Sequence, residues 1–136
     1  VLATNGNFYG TTFGNEDTSD CASTCSTVFE MTPAGELTTI YTFCTQANCA
    51  DGDGASGLLQ ARNGSLYGAT YGGVHNPGCP PYDGCGTIFE ITPAGKFTTI
   101  YTFCAQTSCA DGTNAYSLLQ ATDGNFYGTA DSFVGQ

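Results

Sequence analysis

The chain has 136 residues and carries twelve Asp and Glu against only two basic residues, Arg62 and Lys96, for a formal net charge of −10. That length suits one domain with a core of its own, and that charge repels a phosphate backbone, which excludes nucleic acid as a partner. Charged residues make up only 10% of the chain, and β-branched and aromatic residues are regularly placed, so the acidity belongs to a folded, Thr-rich and Gly-rich β protein rather than to a disordered one.

The sequence opens on Val1 with no charged and apolar leader, which marks a processed product or a piece of something longer. No apolar run reaches the ~20 residues of a membrane-spanning helix. The first phrase, "NGNFYGTTFG" at 5–14, reads as a strand, and a loop with Cys21 and Cys25 follows. The second, "TVFEMTPAGELTTIYTFC" at 27–44, reads as two strands around a Pro-Ala-Gly turn. A loop with Cys44, Cys49 and "DGDG" at 51–54 leads to "GLLQAR" at 57–62. Asn63-Gly64 then predicts a two-residue type I′ hairpin, in which both central positions need positive φ. "SLYGATYG" at 65–72 repeats the first phrase, and "GGVHNPGCPPYDGCG" at 72–86 forms the loop with His75, Cys79 and Cys85. "GTIFEIT" at 86–92 and "KFTTIYTFC" at 96–104 repeat the second phrase, with Cys104, Cys109 and Asp111-Gly112 after them. The first phrase returns once more as "DGNFYGTADS" at 123–132.

The second phrase recurs at an offset of 60 with fourteen of eighteen positions identical, and the first at 58 and then 60. Repeats of this size are supersecondary units that bury their faces against neighbours. The boundaries fall at about 1–56, 57–116 and a half-repeat 117–136, each full unit a four-stranded antiparallel meander. Adjacent bulky residues such as Phe8 with Tyr9 and Ile40 with Tyr41 point to opposite faces of a sheet, so both faces are expected to be covered. The fold class that follows is all-β, a β-propeller-like array of about two and a half blades and about ten strands. A closed propeller needs at least four blades, so this chain is not expected to close on itself.

The combination of "DGNFYGT" with "GTxFExTPxGxxTxxYxF" and a following "DG" resembles the GloVer (Gloeo/Verruco) repeat of bacterial secreted and surface-anchored proteins, understood as propeller-like. The resemblance covers nearly the whole chain. It implies a repeat architecture and a location outside the cell, and it brings no catalytic residue with it. Asn5 and Asn63 depart from the usual Asp, and the paired cysteines are additions.

Eight cysteines allow 105 connectivities, and the repeat makes the local pairs Cys21 with Cys25, Cys44 with Cys49, Cys79 with Cys85 and Cys104 with Cys109 the most economical. Zinc is the rival, but no pair has C-x2-C spacing and His75 is the only histidine. Local disulfides imply an oxidising place outside the cell.

Glu30 and Glu90 are equivalent carboxylates, as a glycosidase would need, yet their recurrence within the repeat favours a structural role. "DGDG" places hard oxygen ligands at Asp51 and Asp53, which makes calcium a cofactor candidate, although tight-turn chemistry explains the same residues. His75 has no nucleophile or acid in a recognisable constellation beside it. Asn63-Gly64-Ser65 matches an N-glycosylation acceptor that the hairpin already explains. Phe8, Tyr9, Tyr67, Phe126 and Tyr127 offer rings either to a core or to a glycan, with Tyr67 and Tyr127 the stacking candidates.

The expected function is a structural subunit of an extracellular fibre or surface assembly, with copies of itself as partners and no enzymatic activity. The alternative is a carbohydrate-binding propeller module or a fragment of a larger secreted propeller.

Overall fold

The computed structural model describes residues 1–14, 25–74, 78–79 and 84–131. Among them, nine strands make three antiparallel sheets and no α-helix occurs. The first sheet orders β1 (Phe8–Thr12), β2 (Thr27–Met31) and β3 (Leu37–Thr42) side by side. The second orders β4 (Asp53–Gln60), β5 (Leu66–Gly72), β6 (Thr87–Ile91) and β7 (Phe97–Thr102) as a four-stranded meander. The third pairs β8 (Thr113–Gln120) with β9 (Phe126–Asp131). No helix among the described residues is long and apolar enough to cross a membrane.

About ten strands were expected, and one is missing where the first repeat would begin. There Leu2 makes only an isolated bridge to Phe8, while the Val1 ammonium donates to the Tyr9 carbonyl at 2.6 Å. The strand expected at 57–62 starts instead at Asp53 and passes through a register shift between Ser56 and Leu58. Gly57, at φ 54, supplies the left-handed conformation that a β-bulge of this kind demands.

The hairpin at Asn63-Gly64 also differs from expectation. Ala61 N–H donates to the Ser65 carbonyl at 2.9 Å, and Gly64 N–H donates to the Ala61 carbonyl at 2.9 Å. Of the loop residues, only Gly64 has positive φ, at 86°. This is a three-residue loop, a type I turn closed by a glycine bulge. The same pair of bonds closes the turns at Ala3, Thr32, Thr92 and Ala121. Asn63 therefore keeps an ordinary backbone conformation, and its side chain is the useful part. Its Oδ1 accepts from Ser65 N–H at 3.1 Å and its Nδ2 donates to Tyr67 Oη at 2.9 Å.

The sheets stack in chain order. The seam between the first and second holds the core cluster of Ala3, Tyr9, Val28, Phe43, Ala55, Leu66, Phe89 and Ile91. Tyr41 stacks on Phe97 with ring centroids 4.0 Å apart, and Phe43 meets Phe89 edge-on at 5.1 Å. Such ring pairs add about 0.5–1.5 kcal/mol beyond the area they bury. Polar ties recur at both seams: Thr4 N–H donates to Gln60 Oε1 at 2.8 Å, and Arg62 N–H donates to Gln120 Oε1 at 3.1 Å. Each Gln thus fastens the end of its own strand to the turn of the preceding repeat.

The expectation that both faces are covered holds for β5, which is buried along nearly its whole length. It fails for β9, which is exposed at every position. The reason is position, since β5 lies between β4 and β6 with a sheet on either face, whereas β9 has a strand on one side only among the described residues.

Candidate functional site

Three strands carry the same central dipeptide ending in glycine: Tyr9-Gly10, Tyr67-Gly68 and Tyr127-Gly128. Gly10 is the direct antiparallel partner of Phe29 across β1 and β2, and Gly68 is that of Phe89 across β5 and β6. A Cβ on either glycine would stand 2.5 Å from the Cζ of that ring. The glycine therefore exists so that the phenylalanine can lie flat across it. Phe89 is fully buried in this seat.

At Gly128 the seat has no ring among the described residues. A Cβ there would meet the Ser117 carbonyl oxygen at 2.5 Å and Leu118 Cδ2 at 2.8 Å. Gly128 instead lines a cavity of about 600 Å³ between the second and third sheets, together with Ile88, Phe103, Ala115, Ser117 and Leu118. Phe103 matches Phe43 in the repeat, and its only ring contact among the described residues is Tyr101, at 5.4 Å. The outer edge of β9 has no strand beside it among the described residues. Open edge and open cavity thus coincide.

The turn before each of these tyrosines is organised by a side chain. Asn5 Nδ2 donates to Tyr9 Oη at 2.9 Å, and Tyr9 Oη donates to Glu30 Oε1 at 2.6 Å. Asn7 Nδ2 adds a 2.7 Å bond to the same oxygen. These two donors hold Glu30 below the ordinary carboxylate range, and burial with the carboxylate acceptor raises Tyr9. In the third repeat Asp123 replaces the asparagine, so Tyr127 Oη donates to Asp123 Oδ2 at 3.0 Å. The Asn125 backbone and then Tyr127 lower Asp123.

Glu30 is therefore committed to a structural network, while the carboxylate of the equivalent Glu90 makes no hydrogen bond among the described residues. Tyr9 and Tyr67 lie between these carboxylates and the turns, and nothing arranges the two glutamates about a common point: each faces its own tyrosine in its own sheet.

Asp51 is fully buried and both its oxygens accept. Tyr41 Oη, Thr45 N–H and Thr45 Oγ1 donate to Oδ2 at 2.8, 3.0 and 3.0 Å, and Gln46 N–H donates to Oδ1 at 3.3 Å. Asp53 lies in β4 and accepts from Ser26 Oγ at 2.8 Å and Gly54 N–H at 2.8 Å. The two calcium candidates thus serve different partners. No group of three or more metal-capable side chains occurs among the described residues. Asp111 repeats the Asp51 arrangement, accepting from Tyr101 Oη at 2.7 Å and from the Ala105 and Gln106 N–H groups. Burial pushes its carboxyl up, but these donors outweigh it and the net shift is downward.

The cysteine pairs Cys44–Cys49, Cys79–Cys85 and Cys104–Cys109 are disulfides. Cys25 is also disulfide-bonded, whereas Cys21 and His75 lie outside the described residues. Each five-residue staple encloses a short 3-10 turn, Ala47–Cys49 or Thr107–Cys109. Both stapled loops hold three non-glycine residues at positive φ, at Cys44, Asn48 and Cys49 and again at Cys104, Ser108 and Cys109. In each loop the aspartate and the disulfide together hold a backbone that L residues rarely adopt. These bonds place the chain in an oxidising environment.

Of the stacking candidates, Tyr67 is only 8% exposed and Phe126 covers its ring at a centroid distance of 4.4 Å. Tyr127 is 51% exposed, and Phe8 and Phe126 are near 40%. Tyr67 thus presents no free face to a sugar ring, and Tyr127 does. Asn63, the glycosylation candidate, already uses both ends of its amide in the turn.

Two features escaped the sequence reading. The glycine seat was signalled by the mid-strand Gly in all three copies of the first phrase, opposite a Phe in both copies of the second. The bond from Tyr41 to Asp51, repeated from Tyr101 to Asp111, was signalled by the repeated Tyr-Thr-Phe-Cys and Cys-Ala-Asp-Gly, which places a hydroxyl and a carboxylate at a fixed interval.

A family model described as the Gloeobacter/Verrucomicrobia repeat matches residues 1–135. No curated protein and no solved structure matches the chain.

Proposed function

The chain belongs to the Gloeobacter/Verrucomicrobia repeat family, and from that membership we propose that it is a structural unit of an extracellular fibre or surface assembly. Its sheets stack as propeller-like blades, and its copies associate through strand edges and sheet faces. The observation that carries this reading is the edge of β9 that no strand pairs among the described residues, beside the cavity at Gly128. An unpaired strand edge offers a row of N–H and C=O groups to another strand. Exposed Leu119 on β8 and Phe126 and Tyr127 on β9 add apolar surface to this sheet.

Two further features suit a durable material. The loops are stapled by disulfides, and two basic residues leave few sites for trypsin-like proteases. A head-to-tail contact that does not close gives a filament. No reaction is assigned to Glu30 or Glu90.

Sedimentation of the oxidised chain over a wide concentration range, with electron microscopy of the concentrated sample, tests this reading. Concentration-dependent assembly into a regular polymer supports it. A chain that stays monomeric and forms no polymer refutes it. The exposed ring of Tyr127 favours one rival, a carbohydrate-binding module, and saturable glycan binding that disappears in Tyr127→Ala would support that instead.

A further inference from the structure

We propose that Asn63 is a modification site, an Asn-Gly pair open to deamidation that the Tyr67 hydroxyl holds in check, and that Asn5 is its better-guarded counterpart.

The chemistry needs only water. The Gly64 backbone nitrogen attacks Asn63 Cγ and loses its proton, the Cγ–Nδ2 bond breaks, and ammonia leaves behind a cyclic imide. Water then opens the imide, either to aspartate or to the isomer whose main chain runs through Cβ and Cγ and is one atom longer. Glycine hinders the attack least of all residues, because it has no Cβ. No atom stands within 4 Å of the place where a Cβ on Gly64 or Gly6 would be, and Asn63 and Asn5 are both exposed. Both turns thus offer the reacting pair and a way in for water.

Hydrogen bonds stand in the way. Gly64 N–H donates to the Ala61 carbonyl at 2.9 Å, which occupies the attacking nitrogen. Ser65 N–H donates to Asn63 Oδ1 at 3.1 Å, and Asn63 Nδ2 donates to Tyr67 Oη at 2.9 Å. The Ser65 bond fixes which end of the amide is oxygen, since an N–H needs an acceptor. The nitrogen that must leave is therefore the end tied to the tyrosine, and the two side-chain bonds together keep Cγ from turning toward Gly64. The first turn repeats all of this: Gly6 N–H donates to the Ala3 carbonyl at 2.9 Å, Asn7 N–H to Asn5 Oδ1 at 3.1 Å, and Asn5 Nδ2 to Tyr9 Oη at 2.9 Å.

The two locks differ beyond the tyrosine. Tyr9 Oη donates its own proton to Glu30 Oε1 at 2.6 Å. A hydroxyl that donates to a carboxylate is a stronger acceptor in turn, so Asn5 is held firmly. Tyr67 Oη donates to no group among the described residues, and Glu90, opposite it in the register, makes no bond to it. Asn63 is the weaker lock, and modification begins there. The third turn carries Asp123 at the same place, with Tyr127 Oη donating to it at 3.0 Å, so the turn itself accommodates an acid. The lengthened isomer does the damage, because it moves Ser65 away from the Ala61 N–H that closes the hairpin.

The experiment incubates the intact oxidised chain at mildly alkaline pH and follows the conversion of amide to acid at Asn63 and Asn5 in the same molecules, by peptide mapping and mass spectrometry. Asn63 converts faster than Asn5. Tyr67→Phe keeps the ring against Phe126 and removes only the hydroxyl. It speeds conversion at Asn63 roughly two- to tenfold, the factor that one hydrogen bond of ordinary strength supplies, and leaves Asn5 as it was. Glu30→Gln does the reverse, speeding Asn5 and leaving Asn63. An unchanged rate at Asn63 in Tyr67→Phe overturns the inference, as does faster conversion at Asn5 than at Asn63 in the parent chain. A rise at both positions together in Tyr67→Phe also overturns it, because the fold as a whole, and not the hydroxyl, then sets the rate.

Discussion

Phe89 lies across Gly68 so closely that a Cβ on the glycine would stand 2.5 Å from its Cζ, and the two residues are direct cross-strand partners. The same relation joins Phe29 to Gly10. It links the two repeated phrases of the sequence physically, because each supplies one half of the pair.

The first prediction concerns that pair. Gly68→Ala forces the fully buried Phe89 ring out of its seat, and overpacking of this kind costs about 1–3 kcal/mol. Phe89→Ala empties the centre of the seam and costs about 3–5 kcal/mol. Because the two side chains share one space, the double variant should fall short of the sum, and a denaturation cycle measures the difference.

Asp51 and Asp111 should differ in importance although they occupy equivalent loops. Asp51 is fully buried and accepts four bonds, so Asp51→Ala removes a carboxylate that four donors share and costs about 1–3 kcal/mol in all. Asp111 is partly exposed and water replaces it, so Asp111→Ala costs less. Chemical denaturation of both variants ranks them.

Stability should fall at both ends of the pH scale. Hydrogen bonds from Tyr9 and Asn7 lower Glu30, and donors lower Asp111 and Asp123 as well. A carboxyl lowered on folding contributes stability that is present above its unfolded value and is lost as pH falls through its folded value. The tyrosines behave oppositely: burial and Glu30 raise Tyr9, the bond to Asp111 raises Tyr101, and the bond to Asp131 pushes Tyr116 up to about 12. Their contribution is complete below the ordinary tyrosine value of 10.0 and is lost as pH rises through the folded values. Thermal melting against pH should show a broad plateau with a loss below the ordinary carboxylate range and another above pH 10. Tyr9→Phe should weaken both limbs.

Removing a staple should have a modest effect. The Cys44–Cys49 loop spans a separation of 5, and closing so short a loop contributes about 2 kcal/mol. The double change Cys44→Ser with Cys49→Ser should lower the melting temperature without unfolding the chain, because Asp51 still ties the loop to Tyr41 and Thr45. Combined with Asp51→Ala, it should release the loop, seen as rapid exchange of the backbone amides at position 49 and at Gly52.

Much of the architecture was legible in the sequence because it was written twice. The phrases containing Phe29 and Phe89 gave the third and fourth strands of each unit, and the Tyr-Gly phrases gave the second. The turn at Asn63 was misread because Asn-Gly suits either a two-residue or a three-residue loop. The choice depends on which residue closes the ladder, here Ala61 with Ser65, and that is a pairing between strands rather than a local preference. Asp51 was ambiguous for a similar reason. A buried carboxylate with four donors and a calcium ligand call for the same residue type, and only the positions of Tyr41 and Thr45 distinguish them. The position of Gly128, which faces no ring among the described residues, was harder to read still, since its meaning comes from Phe29 and Phe89 elsewhere in the chain.

Amide hydrogen exchange along β9, compared between dilute and concentrated oxidised protein, tests the central claim most directly. Strand association at this edge predicts that the β9 amides directed away from β8 exchange freely when dilute and become protected when concentrated, while those of β5 stay protected throughout. If the chain assembles and the β9 amides remain as fast as in the dilute sample, β9 is not the associating edge and the account is wrong.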